Sequence, residues 1–153
     1  MTAYPDLTNG SFAVSADRRR MDIDAIHAFL TRSFWASGIS RELVAKSVEH
    51  SLCFGVFDAG AQVGFARVVT DYATYAYLCD VYVLESHRGR GLSKWMIGFV
   101  MNHPQLQGLR RFQLVTRDAH GLYHRFGFAP PAHPDRHLEI FRPGLYSTGS
   151  EGA

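Results

Sequence analysis

Lysine and cysteine are scarce in this sequence, and each scarcity narrows the classes of protein to which it can belong. Among 16 cationic side chains only Lys46 and Lys94 are lysines, and the formal net charge of the 153-residue chain is +2. A charge this small does not by itself indicate a nucleic-acid-binding protein. The arginines each offer a planar fork that suits phosphate or carboxylate, although a compositional bias of the source genome would produce the same excess.

The two cysteines, Cys53 and Cys79, lie far apart inside apolar runs and form no CxxC pair. They are typical of small core side chains and favour a reducing compartment. No apolar run approaches the ~20 residues that cross a bilayer. The opening stretch MTAYPDLTNG lacks a basic segment followed by an apolar one, as a signal peptide would have. We therefore expect a cytoplasmic protein.

The remaining composition is that of a globular protein, with 46% hydrophobic and 20% charged residues. A chain of 153 residues suits one domain with its own core. We therefore predict a single domain over 1–153, with a core at about 12–142 and a polar, glycine-rich tail at 143–153 that frays.

The spacing of apolar residues predicts an α/β fold in which helices flank a central mixed sheet. Helical spacing covers 22–34, with Asp22 as a suitable N-cap, and begins again after Ser40. A third helix is predicted over 91–103, and a short fourth helix follows Asp118, which could cap it.

Strands are predicted where β-branched and aromatic residues cluster. The first would lie at the edge of the sheet, and the second and third would form a hairpin; the six strands span 11–16, 51–57, 62–71, 72–85, 110–116 and 137–141. The step from the fourth strand through a helix to the fifth strand requires these two strands to be parallel. The predicted sheet is therefore antiparallel in the middle and parallel at this step.

The segment LESHRGRGLSKW (84–95) joins the fourth predicted strand to helix 91–103. The first turn of a helix carries unpaired N–H groups and a partial positive charge, and small residues there let the backbone approach a ligand. The segment supplies three small residues and three cations: Gly89, Gly91, Ser93, Arg88, Arg90 and Lys94. These features favour a bound diphosphate, although a plain turn with solvated arginines would explain them too. The P-loop motif GxxxxGK[ST] is absent from the sequence. The dinucleotide motif GxGxxG does not fit either, because Lys94 stands in place of its third glycine.

The same segment resembles the acetyl-CoA signature [Q/R]-x-x-G-x-[G/A] of the GCN5-related N-acetyltransferase (GNAT) superfamily. Arg88, Gly91 and Ser93 fill its three positions, with Ser93 in place of the usual Gly or Ala. A second segment, DAHGLYHRFGF (118–128), resembles the family pattern A-x-x-[F/L]-Y-x-x-x-G-F at Ala119, Leu122, Tyr123, Gly127 and Phe128. The resemblance covers roughly 12–142 and implies the GNAT-like acyl-CoA N-acyltransferase fold.

The resemblance implies transfer of the acetyl group of acetyl-CoA to a primary amine of a small molecule, by direct attack in a ternary complex. An alkyl amine has a pKa near ~10.4 and must lose a proton, whereas the leaving thiolate, with a pKa near ~8.5, should gain one. The thioester oxygen also needs a hydrogen-bond donor as it becomes negative. A protein lysine or N-terminal acetyltransferase, and a CoA-binding sensor without turnover, are the alternatives. Neither nucleic acid nor membrane is an expected partner, and a homodimer is possible.

Tyr123 occupies the family's catalytic tyrosine position and is the candidate acid, because a phenol can protonate the departing sulfur. Packing on its helix, or orienting the cofactor, is the alternative role for Tyr123.

Asp80 is the candidate base, because a carboxylate inside the apolar stretch YLCDVYV needs a partner or a task. A structural ion pair with Arg67 on the neighbouring strand is the alternative. Strict alternation would place Asp80 on the same face as Leu78 and Tyr82. Glu85 and His87 are weaker candidates, and a chain of water molecules would need no single base.

The resemblance also implies binding roles. The backbone of Val81, Tyr82 and Val83 would pair with the pantetheine arm, and N–H groups of the loop would hold the pyrophosphate, those of Arg88, Gly89, Arg90, Gly91, Leu92 and Ser93. Lys94 and Arg90 would reach the nucleotide phosphates, and Thr116 stands where the family often has a cofactor-binding Asn.

The amine would enter near aromatic side chains that can cradle a cation, namely Phe34, Trp35, Tyr72 and Tyr75, although ordinary packing would explain each of them singly. His120 and His124 have the i, i+4 spacing of a zinc site, but no HExxH motif and no Cys or carboxylate cluster accompanies them. We therefore expect no metal.

Overall fold

A computed structural model describes residues 3–148 of the chain, with side chains over 3–147. Its centre is a six-stranded sheet in the order β1-β2-β3-β4-β5-β6. The strands are Leu7–Asn9, Phe12–Ser15, Leu52–Asp58, Ala61–Thr70, Tyr75–Val83 and Arg111–Leu114. Strands β1 to β5 are antiparallel to their neighbours, whereas β5 and β6 are parallel. The predicted mixed sheet, its central hairpin and its parallel step are confirmed.

Five helices accompany the sheet in the described chain: α1 Ile23–Leu30, α2 Arg41–Glu49, α3 Leu92–Met101, α4 His120–His124 and α5 Leu145–Thr148. The side chain of Asp22 accepts from the N–H of Ala25, and that of Ser40 from the N–H of Leu43, so both predicted caps are confirmed. Each cap satisfies a donor that the helix itself leaves unpaired.

Helices cover both faces of the sheet. On one face α1 and α2 pack on Phe65 and Tyr82, and the buried side chains Ile26 and Val44 belong to this cluster. On the other face, α3 packs on a cluster that includes Phe54, Val56, Val68, Met96 and Val100. Full burial of each such side chain contributes about 1.5–3 kcal/mol to stability, so the two clusters fix the helices on the sheet. No helix of residues 3–148 is long and apolar enough to cross a membrane.

The beginning of the chain differs from the prediction. The strand expected at 11–16 is not at the edge, because β1 pairs antiparallel with β2 and takes that position. Tyr4 extends the same segment over α3, where its ring stacks on Phe99 at 4.3 Å and its hydroxyl donates to the Phe99 carbonyl at 2.8 Å. Two of the three residues of LTN are polar, and a strand this short carries little alternation, so β1 was missed.

The end of the chain also differs. Asp118 does not cap α4; Ala119 precedes the helix, and its N–H donates to the hydroxyl of Thr116. The strand expected at 137–141 is absent, and this stretch has no regular structure. Within the tail expected to fray, residues 145–148 form α5, whereas 149–153 lie outside the described residues.

Candidate active site

Strand β5 continues beyond the point where β6 stops. The pairing of β5 with β6 runs from Tyr75 with Arg111 to Leu78 with Leu114, and no strand of the described chain pairs with residues 79–83 on that side. An exposed strand edge presents a row of N–H and C=O groups to which an extended ligand can bind. The predicted pantetheine-binding residues Val81, Tyr82 and Val83 lie on this open edge.

Asp80 lies at an irregularity of β5. Its backbone has a φ of +53°, and the pairing of β5 with β4 shifts register between Phe65 and Arg67. A β-bulge of this kind redirects side chains and increases the local twist of a strand. Leu78 consequently packs in the α3-side cluster and Tyr82 in the α1–α2-side cluster. The predicted common face of Asp80, Leu78 and Tyr82 is therefore wrong for Leu78, because strict alternation takes no account of a bulge.

Both carboxylate oxygens of Asp80 have partners. Oδ1 accepts from the Trp35 indole N–H at 2.9 Å, and Oδ2 accepts from Arg67 Nε at 2.8 Å. The side chains are mostly buried, with exposed fractions of 12% for Asp80 and 19% for Arg67. Burial, the largest single influence, opposes the charge on Arg67, but the opposite influences, led by the charge of Asp80 and including its hydrogen bond, together raise the guanidinium pKa. The ion pair considered for Asp80 is therefore present.

A cavity of about 520 Å³ opens over this ion pair, between the sheet and α2. Its polar and aromatic lining comes from five separate segments of the chain: Trp35, Lys46, His50, Arg67, Asp80 and Tyr146. Tyr146 belongs to α5, whose backbone lies against Gly38: a Cβ on Gly38 would lie 2.9 Å from the Tyr146 carbonyl oxygen. The tail thus forms one wall of the cavity.

The loop that leaves β5 has the backbone that the sequence predicted for an anion site. Gly89 and Gly91 have φ values of +79° and +76°, a region that favours glycine, and a Cβ on either would meet no atom within 4 Å. No side chain caps α3, so the N–H groups of its first turn remain available to a ligand. Arg88 is anchored by a bond from Nε to the Val83 carbonyl, whereas Arg90 and Lys94 are exposed.

Tyr123 lies in α4 and packs against the α3-side core, with its ring 5.9 Å from that of Phe128. Burial raises the pKa of the Tyr123 phenol to about 12. The hydroxyl has no hydrogen-bond partner among residues 3–147, and its oxygen is not completely buried. A protonated phenol with an unused hydroxyl suits the predicted acid. Thr116, in contrast, uses its hydroxyl to hold the start of α4.

The four aromatic residues predicted to line the amine site fall into two groups. Phe34 and Trp35 lie together, 5.1 Å between ring centroids, and Arg117 of the β6–α4 loop stacks over Phe34 at 3.8 Å. Tyr75 lies five residues before Asp80 on β5, about 16 Å away at ~3.3 Å per residue, and its hydroxyl donates to Gln113. Tyr72 precedes it in the β4–β5 turn. The structure therefore brings only Phe34 and Trp35 to the region of Asp80.

A family model and two relatives identify the chain. The model of the acetyltransferase (GNAT) family matches residues 22–128. The chain belongs to the GNAT acetyltransferase family. A crystal structure of a GNAT-family protein from Xanthomonas campestris pv. campestris, described as a candidate acetyltransferase, is 56% identical, with a TM-score of 0.88, covering 90% of this chain and 97% of that one. A Gibberella zeae protein with the same description is 32% identical over 80% of this chain and 81% of its own.

A more distant structure shares the GNAT fold. An acetyltransferase from Clostridium acetobutylicum, solved with acetyl-CoA, is 16% identical, with a TM-score of 0.61, covering 85% of this chain and 94% of that one. The family model and the 56% identical structure confirm the recognition of the GNAT superfamily from the two motifs, and of its fold.

Several residues in and around the candidate site were missed from the sequence. Lys46 on α2 and His50, which follows the last residue of α2, lie four residues apart and both line the cavity, a spacing that was visible but not used. Tyr146 was assigned to the frayed tail, and Arg117 to no role, because nothing local marks a long-range contact. The stacking of Arg117 on Phe34 joins two distant segments, and only the tertiary fold brings them together.

The histidines divide between structural contacts and the surface. His87 bonds the Asp58 carboxylate at 3.0 Å and Ser86 at 2.8 Å, and neither partner lines the cavity over Asp80. Bonds from Ser11 and His87, with the nearby charge of Arg90, hold the pKa of Asp58 below its usual range. His120 and His124 are not joined by a third metal-ligating residue, and no such cluster occurs in residues 3–147.

Proposed function

We propose that this GNAT protein transfers the acetyl group of acetyl-CoA to a primary amine of a small molecule, by direct attack in a ternary complex. The observation that carries the proposal is a continuous surface: the open edge of β5 at 79–83 leads into the glycine loop and the uncapped N-terminus of α3. A pantetheine arm requires an extended backbone partner, and a diphosphate requires N–H donors in a positive field. Both are present, in that order along the chain.

The donor side would hold acetyl-CoA mainly through backbone groups. The N–H groups of Val81 and Val83 would pair with the pantetheine amides, and those of the Arg88–Ser93 loop with the pyrophosphate. Arg90 and Lys94 are exposed and would add charge against the nucleotide phosphates. Thr116 is proposed as a contact near the cofactor, although its hydroxyl already supports α4.

The acceptor side would be the cavity over Asp80, where the indole of Trp35 and the ring of Tyr146 offer aromatic surfaces to a cationic amine. Its volume of about 520 Å³ lies in the range of pockets that bind small molecules. Tyr72 and Tyr75 would lie outside this cavity, and we propose no direct role for them in amine binding.

The proposed reaction needs few proton-transferring groups from the protein. The neutral amine attacks the thioester carbonyl, the C–S bond breaks, and the CoA thiolate takes a proton from the Tyr123 hydroxyl, which water then restores. The proton lost by the amine leaves through Asp80 or through water. Because Asp80 is held by Arg67 and Trp35, we favour water for this step and assign Asp80 to holding the amine.

Thiol release from acetyl-CoA, measured across a panel of small amines, tests the proposal. We expect Tyr123→Phe to lower kcat by about 100-fold or more, the usual contribution of a general acid, with little change in KM for acetyl-CoA. Since the Tyr123 pKa is raised to about 12, the phenol keeps its proton well above pH 8, and its ionisation should not reduce the rate between pH 8 and 10.

Three other results would decide against the proposal. Acetyl-CoA binding without turnover on any amine would favour a sensor. Turnover on peptides but not on small amines would favour a protein acetyltransferase. Failure to bind CoA would contradict both the proposed cosubstrate and the proposed reaction.

A further inference from the structure

The cavity over Asp80 has more cationic than anionic side chains in its lining. Three basic side chains contribute to it: Lys46 from α2, His50 from the residue after α2, and Arg67 from β4. Among the described residues that line the cavity, Asp80 is the one carboxylate. Its charge is offset by Arg67, because Oδ2 lies 2.8 Å from Arg67 Nε. The charge of Lys46 therefore has no counterpart in the lining.

Arg67 has a hydrogen-bond donor that the protein does not use. Its Nε donates to Asp80, and its Nη1 donates to the Ser51 hydroxyl at 3.1 Å. Its Nη2 has no acceptor among residues 3–147, and this nitrogen is not completely buried. Because Arg67 lines the cavity, the N–H groups of Nη2 remain available to a ligand there.

Lys46 and His50 are also available to a ligand. The Lys46 ammonium has neither a hydrogen bond nor an ion pair within the side chains described. The His50 ring has one charged neighbour, the Glu49 carboxylate, at 4.0 Å, which exceeds hydrogen-bond distance. Both side chains of this pair are more than two-thirds exposed, so water screens their attraction. A histidine ring offers at least one N–H donor whether it is neutral or charged.

A cavity with unused donors and an unbalanced positive charge favours a ligand with the opposite chemistry. Carboxylate and phosphate groups bring a negative charge and several acceptor oxygens, and their bonds to ammonium and guanidinium groups are stronger than bonds between neutral groups. A simple alkylamine, with a pKa near ~10.4, would bring only one more cation. An amine that also carries an acid would place its cation at Asp80 and its anion at Lys46.

We propose that the acceptor is a primary amine that carries a carboxylate or a phosphate group, and that Lys46 binds this acidic group, with His50 and Arg67 as further donors. This inference rests on the proposed acetyl transfer and narrows its substrate class. Lys46 is thereby a specificity-determining residue, whereas Asp80 holds the amine.

Thiol release from acetyl-CoA, measured for matched amines, tests the inference. The amines γ-aminobutyrate and n-butylamine differ in a terminal carboxylate, and O-phosphoethanolamine and ethanolamine differ in a phosphate. In at least one pair we expect kcat/KM of the acidic member to exceed that of its partner by about tenfold or more, the usual effect of a hydrogen bond to a charged group. The pair with the larger ratio identifies the acid as a carboxylate or a phosphate.

Substitutions at Lys46 test where the acid binds. Lys46 is exposed, so circular dichroism should show the fold unchanged in both variants described next. Lys46→Met should lower the acid-to-neutral ratio of kcat/KM about tenfold, because the charge is lost while an unbranched side chain remains. Lys46→Glu should reverse the preference, so that putrescine becomes a better substrate than γ-aminobutyrate. The matched control is Arg41→Met, which removes an exposed cation of the same helix outside the cavity lining and should keep the wild-type ratio.

Two results would overturn the inference and leave the proposed acetyl transfer intact. One is equal kcat/KM for the two members of each pair. The other is a preference for acidic amines that neither Lys46 variant changes, since the acid would then be bound elsewhere. Thiol release with none of the amines, acidic or neutral, would instead contradict the proposed function itself, and the inference with it.

Discussion

The proposed donor half and the proposed acceptor half of the site are formed by different kinds of chemical group. The donor half, β5 after Asp80 with the loop and α3, is a continuous stretch of chain that presents backbone groups. The acceptor half joins side chains from the α1–α2 loop, α2, β4, β5 and α5. Backbone groups bind whatever presents the right phosphate and amide geometry, whereas a set of side chains can be varied one at a time. The donor half therefore suits a constant cosubstrate, and the acceptor half a particular amine.

A change at Ser93 should have the largest effect, and only on the donor half. Ser93→Leu introduces a bulky side chain in the first turn of α3, where the diphosphate would lie. The leucine side chain would occupy that position, so CoA binding should weaken by ~100-fold or more. Ser93→Gly should bind CoA within about threefold of wild type, because the N–H groups remain. Isothermal titration with CoA measures both. Equal binding by wild type and Ser93→Leu would mean that the diphosphate lies elsewhere.

The same contrast explains how much of the site was visible in the sequence. Gly89 and Gly91 were recognisable because small residues at a helix start let the backbone approach a ligand, and their spacing from Arg88 is fixed by one local turn. The caps Asp22 and Ser40 were recognisable for the same reason, since each acts on a backbone group three residues away. These features are decided within one turn of the chain; the cap expected at Asp118 is also local, yet Ala119 takes that position.

Features decided by distant partners could not be predicted in this way. The bulge at Asp80 breaks an alternation that the residue types would allow to continue. The 137–141 stretch has a strand pattern, yet a strand exists only where another strand pairs with it. Tyr146 reaches the cavity because α5 meets Gly38, a contact between residues more than a hundred positions apart. In each case the sequence pattern was compatible with two outcomes, and tertiary contacts decided.

Asp80→Asn should damage the acceptor half while leaving the donor half intact. It leaves the mostly buried Arg67 without its carboxylate, and breaking such a pair costs ~3 kcal/mol or more of stability. We expect KM for the amine to rise about tenfold, a loss of about 1.4 kcal/mol of binding, with the affinity for CoA unchanged. Steady-state kinetics, denaturant unfolding and CoA titration measure the three quantities.

The double variant Arg67→Met, Asp80→Asn is the matched control for this prediction. Removing both charges should restore most of the stability, because no buried charge is left unpaired. The amine KM should stay high, since the carboxylate is still missing. A large fall in kcat for Asp80→Asn, with a shifted acidic limb of the pH profile, would instead make Asp80 the base.

Gly38→Ala should have the smallest effect, and it tests whether α5 belongs to the acceptor half. Gly38 has a φ of +87°, and an added Cβ would meet the Tyr146 carbonyl oxygen at 2.9 Å. The backbone strain should lower stability by about 1–2 kcal/mol, and displacement of α5 should raise the amine KM a few-fold. Gly108→Ala is the control, because Gly108 has a φ of +73° with no atom within 4 Å of the added Cβ. It should show a similar loss of stability and an unchanged amine KM; an equal rise in KM for both variants would exclude α5 from the site.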